Sequence, residues 1–306
     1  MDRHTSRRIP RLHTASSGVV KNGLQSAGDV RFVQFPHPGK EHTVGPTGVR
    51  AWPRADELHR RTFLQSRGHY RLARDGADEY GDVVFWGEWE GAARLVTQLD
   101  PVPEGPRSLC TPDPRGQPPH TTDGTPPQNT DPFVWGDTMA YIGCRQPRNR
   151  KLRELGRGSL ILFGSNLNDR FDLDTVFVVD GWVEHDCETF KEKLRGIASD
   201  AHLHAGVAPF HGWGIKKTLR YYAGATPQDT AAGMYSFVPC LPAAGKQSGF
   251  ARPELRLDGL IDPGLRMQAR SSKPFDAEKV AELWDEVVAQ VTGQGLALAT
   301  RLELPA

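Results

Sequence analysis

The chain lacks most of the features that fix a protein's chemistry by inspection. Only four cysteines occur in 306 residues, Cys110, Cys144, Cys187 and Cys240. They stand far apart with no close pair, which fits reduced thiols in a cytoplasmic protein better than a disulfide frame or a zinc knuckle. No run of about 18 apolar residues exists, so no membrane-spanning helix is expected. The basic start has no apolar stretch of the kind a signal peptide needs. Charge of one sign is missing too: 38 Lys and Arg face 37 Asp and Glu, a formal net charge of +1. A surface that tracks a polyanion backbone would need a basic excess, so any nucleic-acid contact must be a local patch or a single-base pocket. There is no Gly-rich phosphate loop, no Gly-x-Ser-x-Gly elbow and no His-Glu-x-x-His, which removes the commonest nucleotide, acyl-transfer and zinc-protease signatures. No cofactor is expected.

What the chain does have is turn residues, 32 Gly and 24 Pro, between short apolar runs. Residues 1–28 carry Arg3, Arg7, Arg8, Arg11 and Lys21 with little apolar periodicity and read as a disordered basic tail. Residues 29–306 read as one domain. Ten prolines fall between Pro101 and Pro132, so 101–128 is expected to be an irregular insertion, either a lid or a disordered segment. Strands are expected at Val30 to Phe35, Val83 to Trp86, Thr138 to Cys144, Ser159 to Phe163, Thr175 to Val179, Thr218 to Ala223 and Met234 to Val238. The two central runs are too continuous to have a wet face and should be buried on both sides. Between them Gly164 to Asp169 reads as a long polar turn, a surface loop or a pocket rim, with Asp172 in a loop and Asp174 exposed or bonded to backbone N–H.

Helical spacing is seen in Arg54 to Leu64, with Arg60 and Arg61 outward, and in Glu188 to Ser199. After the N-cap candidate Asp276, residues Val280, Leu283, Trp284, Val287, Val288 and Val291 share one face, and Leu296 to Leu304 alternates as a closing strand. Many strands, few helices and no regular βαβ alternation predict an α+β fold with a predominantly antiparallel, barrel-like sheet.

Four groups of side chains are candidates for function. His37, Glu41 and His42 sit beside Pro and Gly at a strand end, where binding groups are often mounted; a solvated turn is the alternative. Trp86, Glu88 and Trp89 offer two indoles and a carboxylate, suited to a flat base carrying an exocyclic amine; the alternative is that the indoles face opposite sides of a strand and only one of them is core. Asn129, Asp131, Phe163 and Ser165 complete this candidate pocket. Arg145, Arg148, Arg150 and Lys151 are the phosphate-contact candidates, with a solvated short helix over Leu152 and Leu155 as the alternative. Asp200, His202, His204 and His211 form a His-x-His arrangement that could take zinc or iron or be ordinary surface histidines; the expectation is no metal.

Gly81-Asp82-Val83-Val84-Phe85-Trp86 and Gly158-Ser159-Leu160-Ile161-Leu162-Phe163-Gly164-Ser165 resemble the Gly-Asp-apolar-apolar-aromatic strand of PUA-like domains, the superfamily of the EVE, YTH and ASCH domains and of the nucleotide-modification-associated domains. The resemblance implies a small β-barrel with a pocket for a modified or flipped base, and a role in RNA modification or in defence against modified DNA. Two functions are therefore carried forward: a module that binds a nucleobase or nucleotide, and a metal-dependent hydrolase or nucleotide-processing enzyme using His37, Glu41 and His42 or the Asp200 to His211 set.

Overall fold

A computed structural model describes residues 23–305 apart from 43, 46, 119–122, 244–248, 266 and 267. The proposed tail lies mostly outside the described residues. Fourteen strands occur among those described: β1 (Phe32–Pro36), β2 (Val49–Arg50), β3 (Thr62–Arg71), β4 (Glu79–Gly87), β5 (Ala93–Gln98), β6 (Ser108–Pro112), β7 (Ala140–Tyr141), β8 (Leu160–Leu167), β9 (Arg170–His185), β10 (Leu219–Gly224), β11 (Val238–Pro242), β12 (Glu254–Leu255), β13 (Arg270–Ser271) and β14 (Ala297–Glu303). They make two seven-stranded mixed sheets. The first runs β13-β1-β8-β9-β10-β7 with β12 added to β9, and the second runs β14-β11-β4-β3-β6-β5-β2. Each holds one parallel pair, β1 with β8 and β3 with β6. The fold is thus α+β and strand-rich, but no single barrel encloses it. A smaller closure does exist, because β14 bonds to β3 as well as to β11 and so joins β3, β4, β11 and β14 in a ring.

The central runs are buried on both faces for a reason visible in their alternation. Ile161, Phe163, Phe177 and Val179 point into a core shared with Val83, Phe85 and Leu302 of the second sheet and with Trp135. Leu160, Leu162, Val176 and Val178 point the other way, onto Leu283, Trp284, Val287 and Val291 of the C-terminal helix (Ala277–Gly293). A side-chain period of two on β8 and β9 therefore feeds two cores at once.

Several local expectations change. The turn after β8 is not long: Leu167 pairs with Arg170, and only Asn168 and Asp169 lie between, at φ 52° and 57°. Both central residues in the left-handed region define a two-residue I′ hairpin, which Asn and Asp tolerate. Asp172 belongs to β9 and is 1% exposed. Residues 54–61 lead into a strand instead of a helix, and Arg61 is buried. Within 188–199 only Phe190–Lys193 is helical, a single turn. The segment expected as a strand from Met234 holds only isolated bridges, Ala231 with Met234 and Phe237 with Val176, before β11 begins at Val238. The Pro-rich segment contributes β6 to the second sheet, between β3 and β5, so part of it is built into the fold.

Candidate functional site

The ends of three strands converge where the two sheets meet. Past β1 the chain turns through His37, and its N–H donates to the Gly164 carbonyl at 2.7 Å. Gly39 lies so close to β8 that a Cβ would come within 2.6 Å of the Ser165 Cβ, so only glycine lets the turn lie flat there. The turn then runs beside the entry to β3, with Arg61 N–H donating to the Lys40 carbonyl and His42 N–H to the Arg61 carbonyl, both at 2.8 Å. Opposite, the chain leaving β4 carries Glu88 and Glu90. Side chains two apart on extended backbone share a side, and Trp89 between them is packed edge-on against Trp135 at 5.0 Å.

The result is a buried chain of alternating charge. Arg252 donates to Ser165 Oγ at 2.8 Å and lies 3.6 Å from Asp174. Arg61 donates from Nε to Asp174 at 2.6 Å and from Nη1 to Glu88 Oε2 at 2.8 Å. Glu88 meets two imidazoles, His37 Nδ1 at 2.5 Å and His59 Nδ1 at 3.2 Å. His59 Nδ1 is also 3.1 Å from Glu90, which lies 3.5 Å from His42 and 3.8 Å from Arg50. Arg50 is itself held by the carbonyls of Trp89 and Gly91. Ions are tolerated inside a protein only when paired in this way.

The neighbours set the protonation states. Burial alone would raise both acids, but His37, Arg61 and His59 hold Glu88 well below the usual carboxylate range, and His42, His59 and Arg50 bring Glu90 down to about 2. Burial would lower His59, yet Glu88 and Glu90 outweigh it and hold its imidazole up at about 10. For His37 burial prevails over Glu88, and its value falls below the ordinary one.

His37 and His59 stack in parallel, centroids 5.9 Å apart and planes within 9°. They form the floor of a cleft of about 410 Å³, lined also by Cys144, Arg145, Arg148, Phe210 and Trp213. The wall carrying Cys144 and Arg145 is fixed by Asp131. Its carboxylate accepts N–H bonds from Ile142, Gly143 and Cys144 at 2.9, 3.0 and 2.7 Å, while burial still raises it to about 7. Arg145 adopts φ 65°, a costly conformation for a side chain of that size. The Cys144 thiol is 3.5 Å from His37 Nε2.

The candidates from the sequence are thus divided. His37, His42 and Glu88 come together, and Arg145 and Arg148 reach the cleft. Glu41 instead accepts N–H bonds from Arg107 and Ser108 and ties β6 down. Asp131 positions the wall, and Asn129 is buried with neither amide atom hydrogen-bonded. Trp89, 1% exposed, is core and not a stacking platform. Trp86 is buried against Phe63, with the Arg252 guanidinium 5.2 Å over its ring. Phe163 is core against Phe35, and Ser165 serves Arg252. Arg150 pairs with Glu154 away from the cleft, near the exposed Lys151. Asp174, expected to be exposed or bonded to backbone N–H, is buried against the Arg61 guanidinium.

The His-x-His pair lies on helical turns, not extended chain. His202 stacks on Phe133 at 4.2 Å, His204 meets Trp52 edge-on, and His211 bonds His185 at 3.0 Å, so the three do not share a centre.

Sequence reasoning missed His59, Arg61, Glu90, Arg252 and Trp213. The Glu-x-Glu spacing of Glu88 and Glu90 was the available signal. Nothing in the sequence marked His59, because it precedes its strand inside a run that looks solvated. Comparison of the chain with family models, curated proteins and solved structures found no match.

Proposed function

We propose that the cleft binds a nucleotide-type ligand, an aromatic base bearing phosphate, either free or as a single base presented from nucleic acid. The observation that carries this is the lining: Arg145 and Arg148 stand in the same 410 Å³ space as Trp213 and Phe210. A volume of a few hundred Å³ with an apolar wall and a few convergent charges suits a small ligand. Guanidinium groups favour phosphate, and an indole offers a face for stacking. Trp213 takes the stacking role that the sequence suggested for Trp89, since it is only half-buried.

A PUA-like reading draws support from the ring of β3, β4, β11 and β14, which carries the Gly81 to Trp86 strand and would correspond to that superfamily's barrel. The second Gly-x-apolar strand, β8, lies in the other sheet, so the ring and the cleft would divide the family's features between them.

Processing of the bound nucleotide is favoured by one further observation, the two parallel imidazoles facing the cleft from one carboxylate. Histidines within reach of a bound phosphate are suited to moving its protons.

Calorimetric titration with nucleoside monophosphates, nucleosides and inorganic phosphate tests the proposal, with chromatography of the same mixtures for turnover. Nucleotides should bind more tightly than either part alone. Trp213→Ala should cost about 1–3 kcal/mol of binding while the fold is retained, and Arg148→Ala should weaken nucleotides but not nucleosides. Equal binding by wild type and both folded variants would remove the cleft from consideration.

A further inference from the structure

Beneath the cleft floor lies a set of donors that the ion pairs do not exhaust. His59 Nδ1, Glu88 Oε1 and Glu90 Oε1 stand 3.1–3.2 Å apart where they meet at His59, and His42 Nε2 is 3.5 Å from the other oxygen of Glu90. A cation bound at about 2.0–2.2 Å to each donor places neighbouring donors roughly 3–3.5 Å apart. The spacing suits a coordination sphere, and without a cation it is the spacing of one imidazole shared between two carboxylates. Among the described residues, His59, Glu88 and Glu90 are the group of His, Cys and acidic side chains with this convergence.

A separate observation points the same way. Glu88 Oε1, Glu90 Oε2 and His42 Nε2 are buried and make no hydrogen bond, and the Glu90 side chain is 0% exposed. Leaving a buried charged oxygen without a donor costs several times what an ordinary hydrogen bond contributes. The rest of the two residues is well served: Arg61 holds Glu88 Oε2 at 2.8 Å, and the backbone N–H of Glu90 donates to Thr130 Oγ1 at 3.0 Å. Partners that orient ligands from behind and leave the front atoms open are the usual surroundings of a metal centre. His59 also lines the cleft, which leaves the centre one side toward a bound molecule.

We propose that His59, Glu88 and Glu90 form a site for one divalent first-row transition cation. An imidazole nitrogen with two carboxylate oxygens suits zinc, iron or manganese, whereas calcium and magnesium prefer oxygen alone. The site does not depend on what fills the cleft: cation binding is read without nucleotide, and nucleotide binding is read in chelator.

Full-length protein stripped with chelator is titrated calorimetrically with Zn²⁺ and Mn²⁺, with Mg²⁺ and Ca²⁺ for comparison, and with Co²⁺ followed by visible absorption. One equivalent of a transition cation should bind, and His59→Gln and Glu90→Gln should each weaken it by about 100-fold or more. Co²⁺ should show ligand-field bands that are lost in His59→Gln. His204→Ala, on a separate helical turn, should bind like wild type. Circular dichroism melts establish that each variant is folded; should Glu90→Gln not fold, His59→Gln, whose side chain is 18% exposed, carries the test. Absence of a saturable single site in wild type, equal affinity in folded His59→Gln, or preference for Mg²⁺ or Ca²⁺ would each overturn the proposal.

Discussion

Arg61 is the residue on which the buried charge chain turns, and its removal gives a direct measure of how that chain is held. The side chain is 1% exposed and bridges Asp174 at 2.6 Å to Glu88 at 2.8 Å. Arg61→Met keeps much of the volume and deletes the charge, so two buried carboxylates each lose a partner. Breaking one buried pair costs about 3–5 kcal/mol, because the remaining charge has no water to turn to. Arg252, 3.6 Å from Asp174, and His37 on Glu88 offset part of this, so the single substitution should fall near the lower end, about 3 kcal/mol. Asp174→Asn alone should be destabilising too, since it leaves Arg61 with one partner. In the double variant Arg61→Met with Asp174→Asn the two losses should fall short of additivity by about 0.5–3 kcal/mol, the coupling of residues in one network. Denaturant melts by circular dichroism in chelator provide the measurement. A cost below about 1 kcal/mol for Arg61→Met, or full additivity in the double variant, would refute the view that these groups depend on one another.

Other outcomes follow from the same structure. Leu162→Ala should destabilise by about 2–5 kcal/mol and Val178→Ala somewhat less, because both side chains are fully buried toward the C-terminal helix; Arg150→Ala, an exposed i,i+4 pair, should cost under about 0.5 kcal/mol. Equal small shifts in all three melts would mean that β8 and β9 are peripheral. Burial lowers His185 to about 4 and His202 to about 3. Their folded values are depressed, so their contribution is present above about pH 6.5 and is lost as pH falls toward 4 and 3. Each should withdraw about 2 kcal/mol between pH 6.5 and 5, and His202→Gln should flatten the acid limb of a stability–pH curve; an unchanged limb would show that His202 is not held neutral.

Much of the framework was legible because short-range rules governed it. The apolar face from Val280 to Val291 and the strand after it were determined by period alone, and so was the double-sided burial of Leu160 to Phe163 and Thr175 to Val179, since runs without polar relief have no wet side. The His37 turn and Glu88 stood out because reactive side chains at strand ends beside Gly and Pro are visible in a linear chain. What the sequence could not determine was how the strands assemble. The closure of β14 on β3, and the parallel pairings of β1 with β8 and β3 with β6, join segments far apart in the chain, and local pattern carries no information about such partners.

The site depended on the same long-range choices. Arg61 reads as outward and Asp174 as exposed or bonded to backbone N–H, because a charge beside an apolar run is normally solvated; they are buried because the entry to β3 and β9 bring them within 2.6 Å of each other. Trp89 lost its expected role for a similar reason, and Trp213, which the sequence did not mark, stands in the cleft. An indole next to a carboxylate looks like a binding group until the opposite face is seen to be filled by Trp135, while Trp213 acquires a cleft to face only when the 200–212 helical turns settle beside Arg145. Sequence determined which side chains were chemically capable, and tertiary structure decided which of them meet, because burial and pairing belong to contacts between segments and not to any one segment.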